Sequence, residues 1–186
     1  KDEERIEQRY AYGDVFFKKR QRRGLTQYEA RHKMRDRNHF GAMMVEQGDA
    51  DALISGITRN FPETIRPALQ VIGTQKGVNK IAGMYILITK SGPVFFADTT
   101  INVNPTAQDL ADITYLAAKS VERLNIKPRI AMLSFANFGS TEFEESKKVS
   151  DAVKILHRDH PELVVDGELQ ANFAMNKEAM RETFPF

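Results

Sequence analysis

The 186-residue sequence contains no cysteine and no tryptophan. Without thiols it has neither disulfides nor thiolate metal sites, and their absence agrees with a reducing, cytoplasmic setting. No apolar run approaches the roughly 18 residues of a membrane span, so no membrane partner is expected. The opening KDEERIEQRY is charged and lacks the apolar stretch of a secretory signal. An initiating Met is missing too, and the chain stops at Phe184-Pro185-Phe186, which reads as an excised piece of a longer protein. What is present is ordinary for a globular chain: 41% hydrophobic and 28% charged residues, with length for one or two packed domains.

Charge is unevenly spread. From Lys18 to Arg37 nine Lys/Arg face only Glu29 and Asp36, a local balance of +7, so the net +2 leaves the rest of the chain at −5. A basic segment of this kind suits a solvated helix face, a cofactor phosphate or an acidic partner. Nucleic acid is not an expected partner, because no reader motif or stacking platform accompanies the cations.

Helical periodicity covers Glu3–Arg22, with Ile6, Tyr10, Gly13 and Phe17 on one face, and Gly24 stops it. Thr26-Gln27-Tyr28-Glu29 is a capping box that starts a helix to about Asp36. Phe40–Val45 reads as a short helix and Ala52–Ile54 as a brief buried strand. Phe61–Ile72 is a helix with Pro67 expected in its first turn, and a turn is expected from Gly73 to Gly77. Ile81–Thr89 and Val94–Ala97 form a hairpin signal around Lys90-Ser91-Gly92-Pro93. Thr106–Leu124 is the clearest helix, with Leu110, Ile113, Ala117, Val121 and Leu124 in one stripe. Ile130–Leu133 and Leu163–Val165 are apolar strands, with a helix over Phe143–Arg158 between them. The tail from Glu168 reads as helical and loosely held. The fold class is therefore α/β: a layered, mostly parallel mixed sheet with helices on both faces and one hairpin. A helical segment of about 1–50, an α/β core of 51–174 and a tail of 175–186 are expected.

The stretch RIAMLSFANFGS, Arg129–Ser140, organises this reading. It is a strand, then a loop with Gly139 and Ser140, then a helix start in which Thr141 caps and Glu144 reaches back. Such a unit aims unpaired backbone N–H groups at one point and suits an anion. Each strand ends in small or polar residues: Ser55-Gly56, Ser134 with Asn137 to Ser140, and Asp166-Gly167-Glu168. In an open α/β sheet ligands bind at these carboxyl ends, so distant segments are expected to line one crevice. Asp98 to Asn104 adds to its rim. Arg66, placed in the first turn of its helix against the macrodipole, calls for an anionic partner, and Arg20 is the second candidate cation. Asp98, Asp166 and Glu168 are the candidate acids or bases. His157 and His160, three apart on a polar face, are a weak metal pair, and no metal is expected.

Read together, QRRGLTQYEA, GAMMVEQGDADALISG, TIRPALQVIGT, ADTTINVNPTAQDLADI, RIAMLSFANFGS and PELVVDGELQ resemble the phosphate acetyl/butyryltransferase family over nearly the whole chain. The branch they resemble most is the C-terminal phosphotransacetylase-like module of bacterial NADP-dependent malic enzymes. Ala97–Asn102 reads ADTTIN where free transferases usually carry a Cys, and Asn137–Ser140 reads NFGS where they carry a longer Thr/Gly/Ser loop. The resemblance implies an α/β unit with coenzyme A in a cleft, and Arg20 and Arg66 stand at the positions of two anion-holding arginines. Ser55, Asp98, Asn102, Ser134, Asn137, Gly139, Ser140 and Asp166, taken from the strand ends and the hairpin exit, complete the expected acyl-CoA and phosphate site. The family's N-terminal portion and its C-terminal part, with a Ser-Arg pair and an Asp, are missing. Asn172 stands where an Asp is usual. The resemblance therefore implies no catalytic residue here, acetyl-CoA as ligand, and a regulatory and assembly role in a homo-oligomer. NADP, a divalent metal and the oxidative decarboxylation of malate are expected only in a region outside this sequence. The alternatives are part of an active phosphate acetyltransferase, or a purely structural dimerisation module.

Overall fold

The computed structural model describes residues 2–74, 78 and 80–185. The chain divides into two compact units, Lys1–Val78 and Asn79–Phe186. In the first, helix α1 (Asp2–Arg20) passes through one 3-10 turn (Gln21–Arg23) and ends at Gly24, whose φ of 84° a side chain would resist. Helix α2 (Gln27–Lys33) starts with the expected capping box: Glu29 N donates to Thr26 Oγ1 at 3.2 Å, and Thr26 N to Glu29 Oε2 at 2.9 Å. Helix α3 (Arg37–Gln47) begins earlier than the apolar pattern suggests, because Asp36 caps it by accepting from the N–H groups of Asn38 and His39, each at 3.1 Å. Helix α4 (Phe61–Val71) is capped by Asn60.

The core of this unit joins Tyr12, Phe16, Ala30, Met34, Ala42, Met43 and Val71. The buried face of α1 is thus rotated from the expected stripe, and Ile6 and Tyr10 are 48% and 51% exposed. The cause is the crossing with α2. A Cβ on Gly13 would lie 2.8 Å from Arg31 Cα, so the helices touch where only glycine leaves room. No strand forms at Ala52–Ile54; that segment is an exposed loop, with Ile54 97% exposed and Leu53 packed over Gly41. The turn expected up to Gly77 falls largely on residues 75–77, outside the described residues.

Pro67 does not sit in the first turn of α4 but in the helix interior. Proline there removes the N–H that would serve the carbonyl four residues back. That carbonyl, of Glu63, instead accepts from Asn38 Nδ2 at 3.4 Å, and Asn38 Oδ1 accepts from Ser55 Oγ at 2.7 Å. A buried amide from α3 replaces the lost helix bond.

In the second unit, β1 (Met84–Thr89) and β2 (Gly92–Ala97) form an antiparallel hairpin with only Lys90-Ser91 at the turn. Helix α5 (Ala107–Glu122) opens with a capping box of Thr106 and Asp109. Strand β3 (Arg129–Leu133) pairs in parallel with β4 (Val164–Leu169), helix α6 (Glu144–Asp159) lies between them in sequence, and α7 (Ala171–Met175) and α8 (Lys177–Thr183) follow. The α/β class and the hairpin stand. Among the described residues, however, the strands make two separate two-stranded sheets, not one mixed sheet.

Ala111, Ala118, Met132, Ala152, Val153, Leu156, Leu163 and Val165 form the core. Ile113 and Val121 of the expected stripe are buried, and the small Ala111 and Ala118, which face α6, widen the buried face of α5, while Leu124, beyond the helix end, is half exposed. Strand β3 is covered on one side only: Met132 is buried and Leu133 is 42% exposed. The capping box expected at Thr141 and Glu144 does not form. Helix α6 starts after Phe143, and Ser146 Oγ bonds to the carbonyls of Thr141 and Phe143 at 2.8 and 2.9 Å.

Between α1 and α2, Arg31 donates from Nε and Nη2 to Asp14 at 2.8 and 2.9 Å. This bidentate pair holds the Asp14 carboxyl down at about 2, against its ordinary 3.8. A carboxylate depressed in the folded state stabilises above its unfolded pKa, and that contribution is lost as pH falls through the folded value. We therefore expect the melting-temperature difference between wild type and Asp14→Asn to be full above pH 3.8 and to shrink as pH falls towards about 2. A difference constant across this window would show that the pair contributes nothing to stability.

Candidate ligand site

The expected crevice draws Arg20, Ser55 and Arg66 from the first unit and its remaining residues from the second. In the first unit, Arg20 ends α1 and lines a small cleft of about 170 Å³ with Arg23, Lys33, Glu29 and Gln70. Gln70 lies on α4 four residues after Arg66, so the two share one helix stripe. Arg66 is exposed and has no ion-pair partner among the described residues. It stands sixth in α4, not in the first turn, so the macrodipole argument for it lapses. Ser55 is engaged by Asn38 as described above. Asn38 itself escaped the sequence reading, because nothing local marks a polar residue that supports a proline in another helix.

In the second unit, Asp98 and Asn102 come together: Asn102 Nδ2 donates to Asp98 Oδ1 and to the Ile81 carbonyl, both at 3.0 Å. Asp98 and Thr100 both adopt positive φ, 58° and 62°. A Cβ on Gly83 would meet the Thr99 carbonyl at 2.4 Å, so the loop lies directly on that glycine.

At the other sheet, β3 and β4 end level, at Leu133 and Leu169. Asp166 is not at the strand end. It pairs with Ala131 inside the ladder, and its Oδ1 accepts from Gly167 N at 2.8 Å. Gly167 is required where it is, since a Cβ there would sit 2.5 Å from the Met132 carbonyl at a φ of 141°.

The loop after β3 folds back onto the end of β4. Ser134 N donates to the Leu169 carbonyl at 3.0 Å, and Phe138 N to the Glu168 carbonyl at 2.8 Å. Gly139 N donates to Glu168 Oε1 at 2.5 Å. Asn137 N donates to Ser140 Oγ at 3.0 Å, and Ser140 N to the Asn137 carbonyl at 2.9 Å. Asn137 Oδ1 accepts from Gln170 N at 2.8 Å. The unpaired N–H cluster expected for an anion is therefore absent here: all four loop N–H groups, 137 to 140, are used within the chain. Glu168, 2% exposed, supplies the acceptor, and its Oε2 is buried with no hydrogen-bond partner among the described residues. The sequence reading treated Glu168 as a candidate acid or base and missed its role as an anchor, because charged residues are rarely this buried.

Histidine does little at either place. His157 Nε2 faces the Val165 carbonyl at 2.9 Å, and His160 stacks on Tyr115 with ring centroids 4.0 Å apart. Among the described residues no cluster of three His, Asp or Glu could hold a metal, and no helix is long and apolar enough to cross a membrane.

An α/β chain with these elements and loops matches one family throughout. The model of the Phosphate acetyl/butaryl transferase family covers residues 1–186, and the chain belongs to that family. It is 43% identical over 158 residues to the phosphate acetyltransferase of Bacillus subtilis (strain 168), covering 85% of this chain and 49% of that enzyme. It is also 36% identical over 175 residues to the NADP-dependent malic enzyme of Escherichia coli (strain K12), covering 94% of this chain and 23% of that protein. A solved phosphotransacetylase from Streptococcus pyogenes superposes with a TM-score of 0.80 at 36% identity, over 96% of this chain and 54% of that one. The chain thus spans about half of the transferases and about a quarter of the malic enzyme.

Glu168→Ala removes the charged acceptor of the Gly139 N–H, a loss of about 1.5–3 kcal/mol, the range for a hydrogen bond to a charged group. We expect urea denaturation to show that loss and hydrogen exchange to show faster exchange at Gly139 and Phe138, with Glu168→Gln intermediate. Unchanged protection at Gly139 would mean that Glu168 does not anchor the loop.

Proposed function

We propose that this chain is the acyl-CoA-binding part of a phosphotransacetylase-like module, serving a regulatory and assembly role in an NADP-dependent malic enzyme that works as a homo-oligomer. The observation that carries this reading is the self-closed loop Asn137–Ser140. A phosphate acceptor needs free donors, and here the protein's own Glu168 takes the place of the anion. The malic-enzyme similarity over 94% of the chain supports the same direction. So do ADTTIN at Ala97–Asn102 and Asn172 in place of an Asp. Arg20 and Arg66 are the residues proposed to hold the ligand's anionic groups, since guanidinium pairs suit phosphates. Malate oxidation, with its NADP and metal, belongs in this reading to a region outside the chain.

A second reading, part of an active phosphate acetyltransferase, is favoured by the 43% identity to the Bacillus subtilis enzyme. Two measurements on the full-length parent protein separate the readings: calorimetry with acetyl-CoA, and formation of acetyl phosphate from acetyl-CoA and phosphate. Binding without transfer is the expected result, and transfer at enzymatic rates would favour the second reading. No binding at millimolar acetyl-CoA would remove both. Arg66→Ala is expected to weaken acetyl-CoA binding by about 1.5–3 kcal/mol, the range for losing a charged hydrogen bond. Unchanged affinity would take Arg66 out of the site.

A further inference from the structure

The rotation of α1 that buries Tyr12 and Phe16 turns Ile6 and Tyr10 outward. Opposite them α2 presents Tyr28, which is 78% exposed. These side chains, with Arg9, Arg31, His32 and Arg35, line a cleft of about 750 Å³ between the two helices. That volume lies in the usual range for small-molecule pockets. No carboxylate is among the residues that line it.

The cleft has two chemically distinct parts. One is aromatic and flat: the Tyr28 and His32 rings stack with centroids 6.1 Å apart and planes 22° from parallel. Across from it, Arg31 Cζ lies 5.0 Å from the Tyr10 ring centroid. Arg31 is already neutralised by Asp14, so it serves as a wall. The other part is cationic. Arg9 and Arg35 are exposed and have no ion-pair partner among the described residues, so their charges are uncompensated. The stack forms within α2, where Tyr28 and His32 stand four residues apart on one helix face beside the basic segment.

We propose that this cleft binds a purine nucleoside diphosphate, with the base on the Tyr28–His32 ledge and the phosphates on Arg9 and Arg35. A planar ring matches the aromatic ledge. Guanidinium forks match phosphate oxygens. The cleft shares no residue with Arg20 or Arg66, so the assignment does not rest on the acyl-CoA reading.

The test is calorimetric titration of the chain with ADP, with adenosine and inorganic phosphate as separate probes. ADP is expected to bind more tightly than either part alone. The double variant Arg9→Ala/Arg35→Ala should weaken ADP by about a hundredfold, and Arg35→Ala alone by about tenfold, as for lost charged contacts. Tyr28→Ala should weaken it by about tenfold, whereas Tyr28→Phe, which keeps the ring, should hold affinity within about twofold. All three positions are exposed, and an unchanged circular dichroism spectrum checks that each variant is folded. No ADP binding at millimolar concentration, affinity undiminished in the double variant, or phosphate binding as tightly as ADP would each overturn the proposal. Displacement of ADP by a much tighter single-stranded oligonucleotide would also overturn it, reassigning the cleft to nucleic acid.

Discussion

Glu168 holds the carboxyl end of the parallel strand pair together. It is buried, its Oε1 takes the Gly139 N–H, and its carbonyl takes the Phe138 N–H. The loop from Ser134 to Ser140 has no regular structure of its own, so its shape follows from where β4 delivers this one side chain. Gly167 sets that delivery, because the backbone passes against the Met132 carbonyl with no space for a Cβ. A glycine with no room to grow and a carboxyl group with no water around it are two parts of the same constraint. Together they decide that the loop is closed before any ligand is considered.

The same logic recurs in the first unit with a different chemistry. Pro67 breaks a helix hydrogen bond, and Asn38 on α3 repairs it while also taking the Ser55 hydroxyl. Both units therefore commit polar residues that look like ligand contacts to internal duty. This is why the proposed function leans on Arg20 and Arg66, whose guanidinium groups are not among the residues so committed. Binding sites that sit beside such supports gain fixed geometry, because the supporting side chains are themselves locked by packing.

Much of the architecture was legible in the sequence where the signal is local. Thr26 with Glu29 and Thr106 with Asp109 form the boxes that their spacing announces, and Gly24 stops its helix. The hairpin stands where the apolar runs flank a short polar tip. The reading failed where a distant partner decides. Pro67 sits inside its helix and not in the first turn because Asn38, 29 residues upstream, supports it there, and Thr141 yields the cap to a start two residues later at Phe143. The buried face of α1 lies a fraction of a turn from the stripe its period marks, since the period shows an amphipathic face but not which neighbour comes nearest. At the candidate site the sequence marks Asn137–Ser140 as a polar loop after an apolar strand. It does not show that a buried acid, next to the last residue of another strand, already occupies it.

Strand β2 carries Pro93 opposite Ile88, one position in from the two-residue turn. Proline offers no N–H, so it fits only where the ladder to β1 asks for no donor, which turns that position towards the open flank of the hairpin. Among the described residues no strand pairs with that flank of β2, and the hairpin also bares apolar side chains on β1, with Ile88 83% and Ile86 50% exposed. A bare edge of that kind invites strands from other molecules to add on. The missing donor interrupts the row of groups an incoming strand would have to meet, so the hairpin carries its own guard against runaway edge-to-edge assembly.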